Sequence, residues 1–456
     1  MPGLPPAAGT VMRRLAPLLS CLCLLLAPVS ALARPVLLIS IDGLRPGDVL
    51  HARERGLKLP NLTRFLHEGS YAEGVTGVMP TLTYPSHVTL LTGVSPAVHG
   101  VGGNLTFDPY NKNQYGWDWY ASDIKVPTLW QAAHAAGLTT ANVHWPVSVG
   151  AAGVDWNLPQ IWRTGTADDR KLLAALATPG LLPVLEHGLG EYPQGINEEL
   201  DGDQARARFA VKLLALHHPD FMTVYFAALD HEEHAKGPGT PEANRVLEQL
   251  DALVGEVAAA ARRVHPDGLV AVVSDHGFAP VSHDVNLYAP FIRAGLVTLK
   301  DGAITDWQAE PWNDGGSAAI VLRHPDDPAL QARVRKLLDE LRADPAYGVG
   351  ELLDRAQVQA RGGSTRASWF VVFKPGYEMG IRPDAPLPAP AHYRGMHGYD
   401  PRQPDQRATL LLAGHGVPSG RDLGVVDMRD IAPTLAGYLG VALPQAQGKP
   451  LLAPTR

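Results

Sequence analysis

Cysteine is nearly absent from this chain: two occur among 456 residues, Cys21 and Cys23, and both fall in one apolar run near the N-terminus. With that run set aside, disulfides, thiolate metal sites and cysteine nucleophiles are excluded together. A basic excess is also missing. Asp and Glu number 46 against 39 Lys and Arg, for a formal charge of −7. Such a chain lacks the cationic face that a nucleic-acid polymer requires, so that partner class is excluded. Long hydrophobic stretches are scarce too, since the run Leu15–Val29 is too short to span a bilayer comfortably. The 46 Gly and 40 Pro are dispersed rather than clustered, which leaves no low-complexity linker and no internal repeat.

What is present begins with a leader. Arg13 and Arg14 precede the apolar run, and Ala31-Leu32-Ala33 is a small-x-small cleavage site. The expectation is a signal peptide over residues 1–33, with Met12 a candidate start in place of Met1. It makes the protein periplasmic or secreted, with no stable membrane span after cleavage. Losing Arg13 and Arg14 takes the charge from −7 to −9, because no acidic residue lies in that segment. A lipoprotein reading at Cys21 is disfavoured, since only about six apolar residues precede it.

Beyond the leader, strand-like and helix-like segments alternate. Val36-Leu37-Leu38-Ile39-Ser40-Ile41 reads as a strand, residues 60–68 as a helix capped by acidic and small residues, and residues 126–137 as a second helix. Strand-like residues 139–144 follow. Asp203 is expected to cap a helix running to about Leu216, and residues 221–229 to form a strand. Thr240-Pro241-Glu242 opens a helix with Val246, Leu247, Leu250, Leu253, Val254 and Val257 on one face. Residues 269–274 and 408–412 complete the strands, and a helix covers about 427–439. Strands separated by helices predict an α/β fold with a mostly parallel central sheet. Between Gly277 and His397 the rhythm changes. Residues 318–322, a helix over 328–341, and 368–373, closed by Pro-rich loops at 383–390, read as a small α+β cap. The expected organisation is a catalytic core of 34–277 and 397–456 interrupted by a cap insertion, 278–396.

Apolar runs that end in acid carry the chemistry. The first strand runs into Asp42, residues 221–229 run into Asp230 with His234 four residues on, and Ala271-Val272-Val273-Ser274 runs into Asp275-His276. Carboxyl ends of parallel strands face the crevice where open α/β sheets bind ligands. With His397, in a Gly-flanked loop, the candidates are three carboxylates and three imidazoles. Two mixed N/O sites of this kind suit Zn²⁺, whereas an all-oxygen set would favour Mg²⁺ or Ca²⁺. Taken singly, Asp42-Gly43 reads equally as a turn, His234 as part of a solvated helix start, and His397 as a surface histidine. Only their conjunction is specific.

The loop Pro80-Thr81-Leu82-Thr83-Tyr84-Pro85-Ser86-His87 offers a nucleophile. Pro85 fixes the chain, and Ser86 to Leu91 can open a helix whose free N–H groups favour an anion. A threonine hydroxyl becomes nucleophilic when a metal lowers its pKa. The competing reading of Thr83 is a helix cap.

Taken in order, these motifs resemble the alkaline phosphatase superfamily, in its nucleotide pyrophosphatase/phosphodiesterase branch. The series runs from Ile41-Asp42-Gly43-Leu44-Arg45 through Pro80 to Pro85, then His99-Gly100 leading to Asn104. Asp230-x-x-x-His234, Ser274-Asp275-His276-Gly277, Gly395-Met396-His397-Gly398 and Asp430-Ile431-Ala432-Pro433-Thr434-Leu435 follow in that order. The resemblance implies an alkaline-phosphatase-like core and two Zn²⁺ ions. One would be held by Asp230, His234 and His397, and the other by Asp42, Asp275 and His276 with Thr83 as fourth ligand and nucleophile. Asn104, 21 residues after Thr83, would donate to a non-bridging phosphate oxygen. Its other reading is a polar turn. Tyr84 matches an aromatic that packs on a nucleobase in relatives and reads equally as a core aromatic under the loop, Trp145-Pro146 resembles a Trp-Pro-Gly segment from which Val147 departs, and Trp162 is a candidate for the base's second face. The implied substrate is a small, nucleotide-like phosphodiester or pyrophosphate, cleaved through a threonyl-phosphate. Sulfatase chemistry is disfavoured because neither Cys nor Ser stands at position 83. A monoesterase is disfavoured because no Arg or Lys neighbours Thr83 or Asn104. Two rivals stay open: a phospholipid-headgroup or phosphonate hydrolase using the same groups, and a non-catalytic exported metal-binding protein.

Overall fold

The computed structural model describes residues 1, 3, 33–380 and 389–452. The expected leader therefore lies almost wholly outside the described residues, as does most of the Pro-rich segment 383–390. No helix among the described residues is long and apolar enough to cross a membrane.

The central sheet has eight strands in the order Arg421–Asp422, Ser70–Tyr71, Leu410–Gly414, Leu269–Val273, Val36–Ile41, Phe221–Phe226, Thr140–Val143 and Trp156–Leu158. The last five pair in parallel, while Leu410–Gly414 runs antiparallel to both its neighbours. The chain is thus α/β with a mostly parallel sheet flanked by helices. Every residue of Val36–Ile41, Phe221–Phe226 and Leu269–Val273 is buried, as their mostly apolar composition suits strands covered on both faces.

Strand alternation divides the core. Leu37, Ile39 and Ile41 point to one face with Met222, Val224 and Phe226, under the helices Leu200–His217 and Pro241–Val264. Val36 and Leu38 point to the other with Phe221, Tyr225, Trp145 and the helix Ile431–Leu439. The helix Pro241–Val264 starts as expected, with the Thr240 hydroxyl accepting from the Ala243 N–H and Leu247, Leu250, Val254 and Val257 buried.

Three expectations are corrected. The apolar run after Phe221 is not one strand: the strand ends at Phe226, and Ala228–Lys236 is a helix that carries Asp230 and His234. Asp203 does not cap its own helix, which begins at Leu200. Its carboxylate crosses to accept from the Ala228 N–H at 2.8 Å, capping the neighbouring helix instead. The helix Pro60–Glu68 likewise has no side-chain cap of its own, and Asp251 of the long helix accepts from the N–H groups of Asn61 and Leu62.

Between residues 279 and 399 a third apolar cluster forms around an antiparallel sheet ordered Ala309–Asn313, Ser317–Leu322, Trp369–Phe373 and Val349–Asp354, with the helix Pro328–Ala343 packed on it. Its second strand is tied to the His397 loop, because Gly316 N–H donates to the His397 carbonyl and the Ser317 hydroxyl to that of Gly398.

Candidate metal and phosphate site

Register sets the site. Ile41 pairs with Phe226, and Ser40 with Tyr225 and Val273, so the three central strands end at one level. Asp42, the helix bearing Asp230, and Asp275-His276 emerge side by side from there. Gly43 has φ +73°, and a Cβ on it would stand 3.0 Å from the Phe278 ring, so the turn after Asp42 needs glycine. Its N–H donates to Asp275 Oδ1, leaving Oδ2 for the crevice.

The structure brings all six expected ligands together. His276 Nε2 lies 3.1 Å from Asp275 Oδ2, 3.4 Å from Asp42 Oδ1 and 3.5 Å from the Thr83 hydroxyl. Around the second centre, Asp230 Oδ2 stands 3.4 Å from His234 Nε2 and its Oδ1 3.6 Å from His397 Nε2. Donors about 2.0–2.1 Å from a tetrahedral Zn²⁺ stand about 3.3–3.4 Å from one another, and these spacings match. Asp230 also groups with Asp42 and His276, so its carboxylate, while part of the second centre, stands close to the first.

Protonation favours a cation as well. Nδ1 of His276, His234 and His397 faces the carbonyls of Gly277, Gly395 and Thr81 at 3.1, 3.0 and 2.9 Å. Each ring thereby donates from Nδ1 and turns a free Nε2 lone pair inward. Burial keeps His234 neutral, with its pKa pushed down to about 3, and holds His397 well below the ordinary range. Burial, then the neighbouring Asp275 and Asp230 carboxylates, hold Asp42 well above the usual carboxylate range. Burial, then Glu198 and Asp275, do the same to Asp230. Asp42 Oδ1, Asp230 Oδ1 and Asp275 Oδ2 are buried with no hydrogen-bond partner among the described residues. Orphaned carboxylate oxygens converging on imidazole Nε2 atoms fit divalent ions of the zinc type.

Thr83 is the first residue of the helix Thr83–Thr92, three residues earlier than the helix start expected at Ser86. Leu82 occupies the cap position, so the Thr83 hydroxyl does not cap the helix and faces the metal ligands instead. The Tyr84 N–H donates to Asn104 Oδ1 at 2.9 Å, Pro85 has no N–H, and Ser86 N–H returns to the Leu82 carbonyl. The Thr83 N–H is left without a partner among the described residues, beside its own hydroxyl. Asn104, anchored through its oxygen, likewise keeps its amide NH₂ for another acceptor.

The aromatic candidates behave differently. Trp145 is wholly buried, its ring packed edge-on to His87 at 4.8 Å and its N–H donating to the His87 carbonyl. The structure therefore does not bring Trp145 to the site surface. Tyr84 is also wholly buried, with its hydroxyl donating to Gln160 Oε1 at 2.7 Å. Trp162 is half-buried.

Some contributing residues went unread in the sequence. Tyr225 donates its hydroxyl to Asp42 Oδ2, and a tyrosine in a wholly buried strand is a signal that its hydroxyl needs a partner. Thr81 supplies the His397 carbonyl acceptor and also accepts from Gly398 N–H. His87, one turn beyond Thr83, sits between the Thr83 carbonyl and Ser40 Oγ at 2.7 and 2.9 Å.

With this arrangement in view, comparison with known proteins is decisive. A family model described as type I phosphodiesterase / nucleotide pyrophosphatase matches residues 36–400. The chain belongs to that family. Human ectonucleotide pyrophosphatase/phosphodiesterase family member 1 is 25% identical over 254 residues, 53% of this chain and 23% of its own. Human bis(5'-adenosyl)-triphosphatase ENPP4 is 27% identical over 262 residues, 56% of this chain and 50% of its own. The chain thus spans between about a quarter and a half of the length of these curated relatives. Human ectonucleotide pyrophosphatase/phosphodiesterase 5 shares the fold, with a TM-score of 0.66 at 19% identity over 91% of this chain and 97% of that one. The murine protein, as an inactive threonine-to-alanine variant in complex with AMP, superposes with a TM-score of 0.66 at 18% identity.

Proposed function

We propose that this family member is an exported two-zinc phosphodiesterase and nucleotide pyrophosphatase that works through a threonyl-phosphate. The observation that carries the reading is the Thr83 hydroxyl, 3.5 Å from His276 Nε2, the same nitrogen that stands 3.1 Å from Asp275 Oδ2 and 3.4 Å from Asp42 Oδ1. A purely structural metal site is closed by protein ligands and has no use for a hydroxyl at its edge. The murine neighbour, inactive as a threonine-to-alanine variant and holding AMP, supports both the nucleophile and the substrate class.

Asp42, Asp275 and His276 would hold one ion, and Asp230, His234 and His397 the other. When bound, the ions would lower the pKa of the Thr83 hydroxyl and neutralise charge on the phosphate oxygens. Thr83 gives its hydroxyl proton to solvent, its Oγ attacks phosphorus in line, and the bond to the leaving oxygen breaks with its electron pair staying on that oxygen. The Thr83 N–H and the Asn104 amide donate to non-bridging oxygens. Water then hydrolyses the threonyl ester and frees Thr83. We read residues 278–396 as the cap that shapes the substrate pocket beside this centre, and residues 1–33 as the cleaved leader.

The test is Thr83→Ala, assayed zinc-loaded on p-nitrophenyl thymidine 5'-phosphate. The expected result is a fall in kcat of about 10³-fold or more, with AMP binding retained. Near-wild-type turnover would overturn the mechanism. A preference of the wild type for p-nitrophenyl phosphate over that diester would overturn the substrate class.

A further inference from the structure

Tyr84 and Trp162 are placed by sequence to take the two faces of a nucleobase, yet a third ring already stands between them. Trp117 packs edge-on to Tyr84 at 5.2 Å and 60°, and edge-on to Trp162 at 5.1 Å and 67°. Trp162 continues the row to Trp119 at 5.4 Å, with the Arg163 guanidinium over the Trp119 ring at 5.2 Å. Tyr84 retains no exposed surface and its hydroxyl is fixed on Gln160, so it cannot turn to meet a ligand while Trp117 stays in place. Trp117 and Trp162 are only half-buried.

The position of Trp117 is tied to the phosphate side of the site. It pairs with Leu105 in an isolated bridge, and the next residue, Asp118, donates its N–H to the Asn104 carbonyl. Asn104 in turn accepts from the Tyr84 N–H. The excursion between these ties carries Asn111, Gln114 and Tyr115 at φ +49°, +50° and +54°, a conformation that side chains other than glycine rarely adopt. The ring that fills the slot thus stands at the foot of a strained turn, one hydrogen bond from the asparagine that faces the phosphate.

We propose that Trp117 is a specificity-determining residue of this site: it fills the space between Tyr84, the residue after Thr83, and Trp162, and a nucleoside must displace it before stacking there. In the folded chain nucleotide substrates then meet a displacement penalty that esters with a small retained group do not. This inference rests on the phosphodiesterase reading above.

Two esters with the same leaving group isolate the effect: p-nitrophenyl thymidine 5'-phosphate and methyl p-nitrophenyl phosphate, each with zinc-loaded enzyme. Trp117→Ala should raise the nucleoside-to-methyl ratio of kcat/KM by about tenfold, chiefly through KM. AMP should bind the variant tighter by a similar factor in titration calorimetry. Trp117→Leu, which keeps more packing, should shift both readouts in the same direction and serves if the alanine variant is unstable. An unchanged or lower ratio, or weaker AMP binding, overturns the proposal and makes Trp117 a stacking surface. If folded, zinc-loaded wild type cleaves neither ester, the catalytic reading falls, while the AMP titration still decides the role of Trp117.

Discussion

Asp42 illustrates how one residue is divided between structure and chemistry. Its Oδ2 accepts the Tyr225 hydroxyl, and its Oδ1 has no partner among the described residues and faces His276 Nε2. The tyrosine therefore settles which oxygen is free to meet a cation. The Tyr225 ring is itself held edge-on to His87 at 4.9 Å, and His87 reaches the Thr83 carbonyl. Outer partners of this kind are worth about 10–100-fold in metal affinity. Tyr225→Phe keeps the ring and removes the donor, so it should weaken zinc binding by about that factor with little change in fold. Competition against a chelating dye measures the affinity, and circular dichroism checks the fold. Unchanged zinc affinity would mean that Asp42 is oriented by its backbone alone. Tyr225→Leu should lose affinity together with stability, and that separates orientation from packing.

At the scale of elements, two helices take their N-terminal caps from other helices. Asp203 accepts from Ala228 N–H at the start of the helix carrying Asp230 and His234, and Asp251 accepts from Asn61 and Leu62. The two caps differ in what else they hold. Asp203 also pairs with Arg206 at 2.6 Å, both side chains wholly buried, whereas Asp251 has no such cation to neutralise in the core. Asp251→Ala should therefore cost about 1–2 kcal/mol, as the loss of a cap does. Asp203→Ala strands a buried guanidinium and should cost about 3–5 kcal/mol. Urea unfolding of the two variants compares them directly, and equal losses would show that Arg206 finds other partners. This is also where the sequence stops being legible. Apolar strands that end in Asp42 and in Asp275-His276 could be read because burial on both faces leaves a continuous signature. The helix at Ala228 was hidden because Ala227-Ala228-Leu229 prolongs the apolar run, and a short run does not separate strand from helix. The Asp203 and Asp251 caps were invisible because their partners are distant in the chain. Trp145-Pro146 resembles a pocket segment locally, yet only the assembled structure shows the Trp145 ring buried against His87. Trp117 sits in an irregular loop, where no periodicity marks it.

Across the whole molecule, the ligands come from segments that have little else in common. Asp42, Asp275 and His276 belong to the ends of central strands, and Asp230 and His234 to a helix beside them. His397 comes from a loop reached only after the antiparallel sheet is complete. That loop is held on the sheet side by Gly316 and Ser317, and on the nucleophile side by Thr81. An ion bound between Asp230, His234 and His397 would therefore fasten that loop to the core. A ligand that binds only the folded state adds stability as RT ln(1 + [L]/Kd), about 2.7 kcal/mol at a hundredfold excess over Kd. Chelation should lower the melting temperature, and it should do so unevenly. Hydrogen exchange should quicken around 395–399 and 315–317, where the loop loses its anchor, and in 228–236. The strands Val36–Ile41 and Leu269–Val273 are buried on both faces by apolar contacts that need no metal, so their amides should keep their protection. Re-addition of zinc should restore the slow exchange. Uniform acceleration over all segments would instead make the ions part of the global fold, and no acceleration at 395–399 would remove His397 from the ligand set.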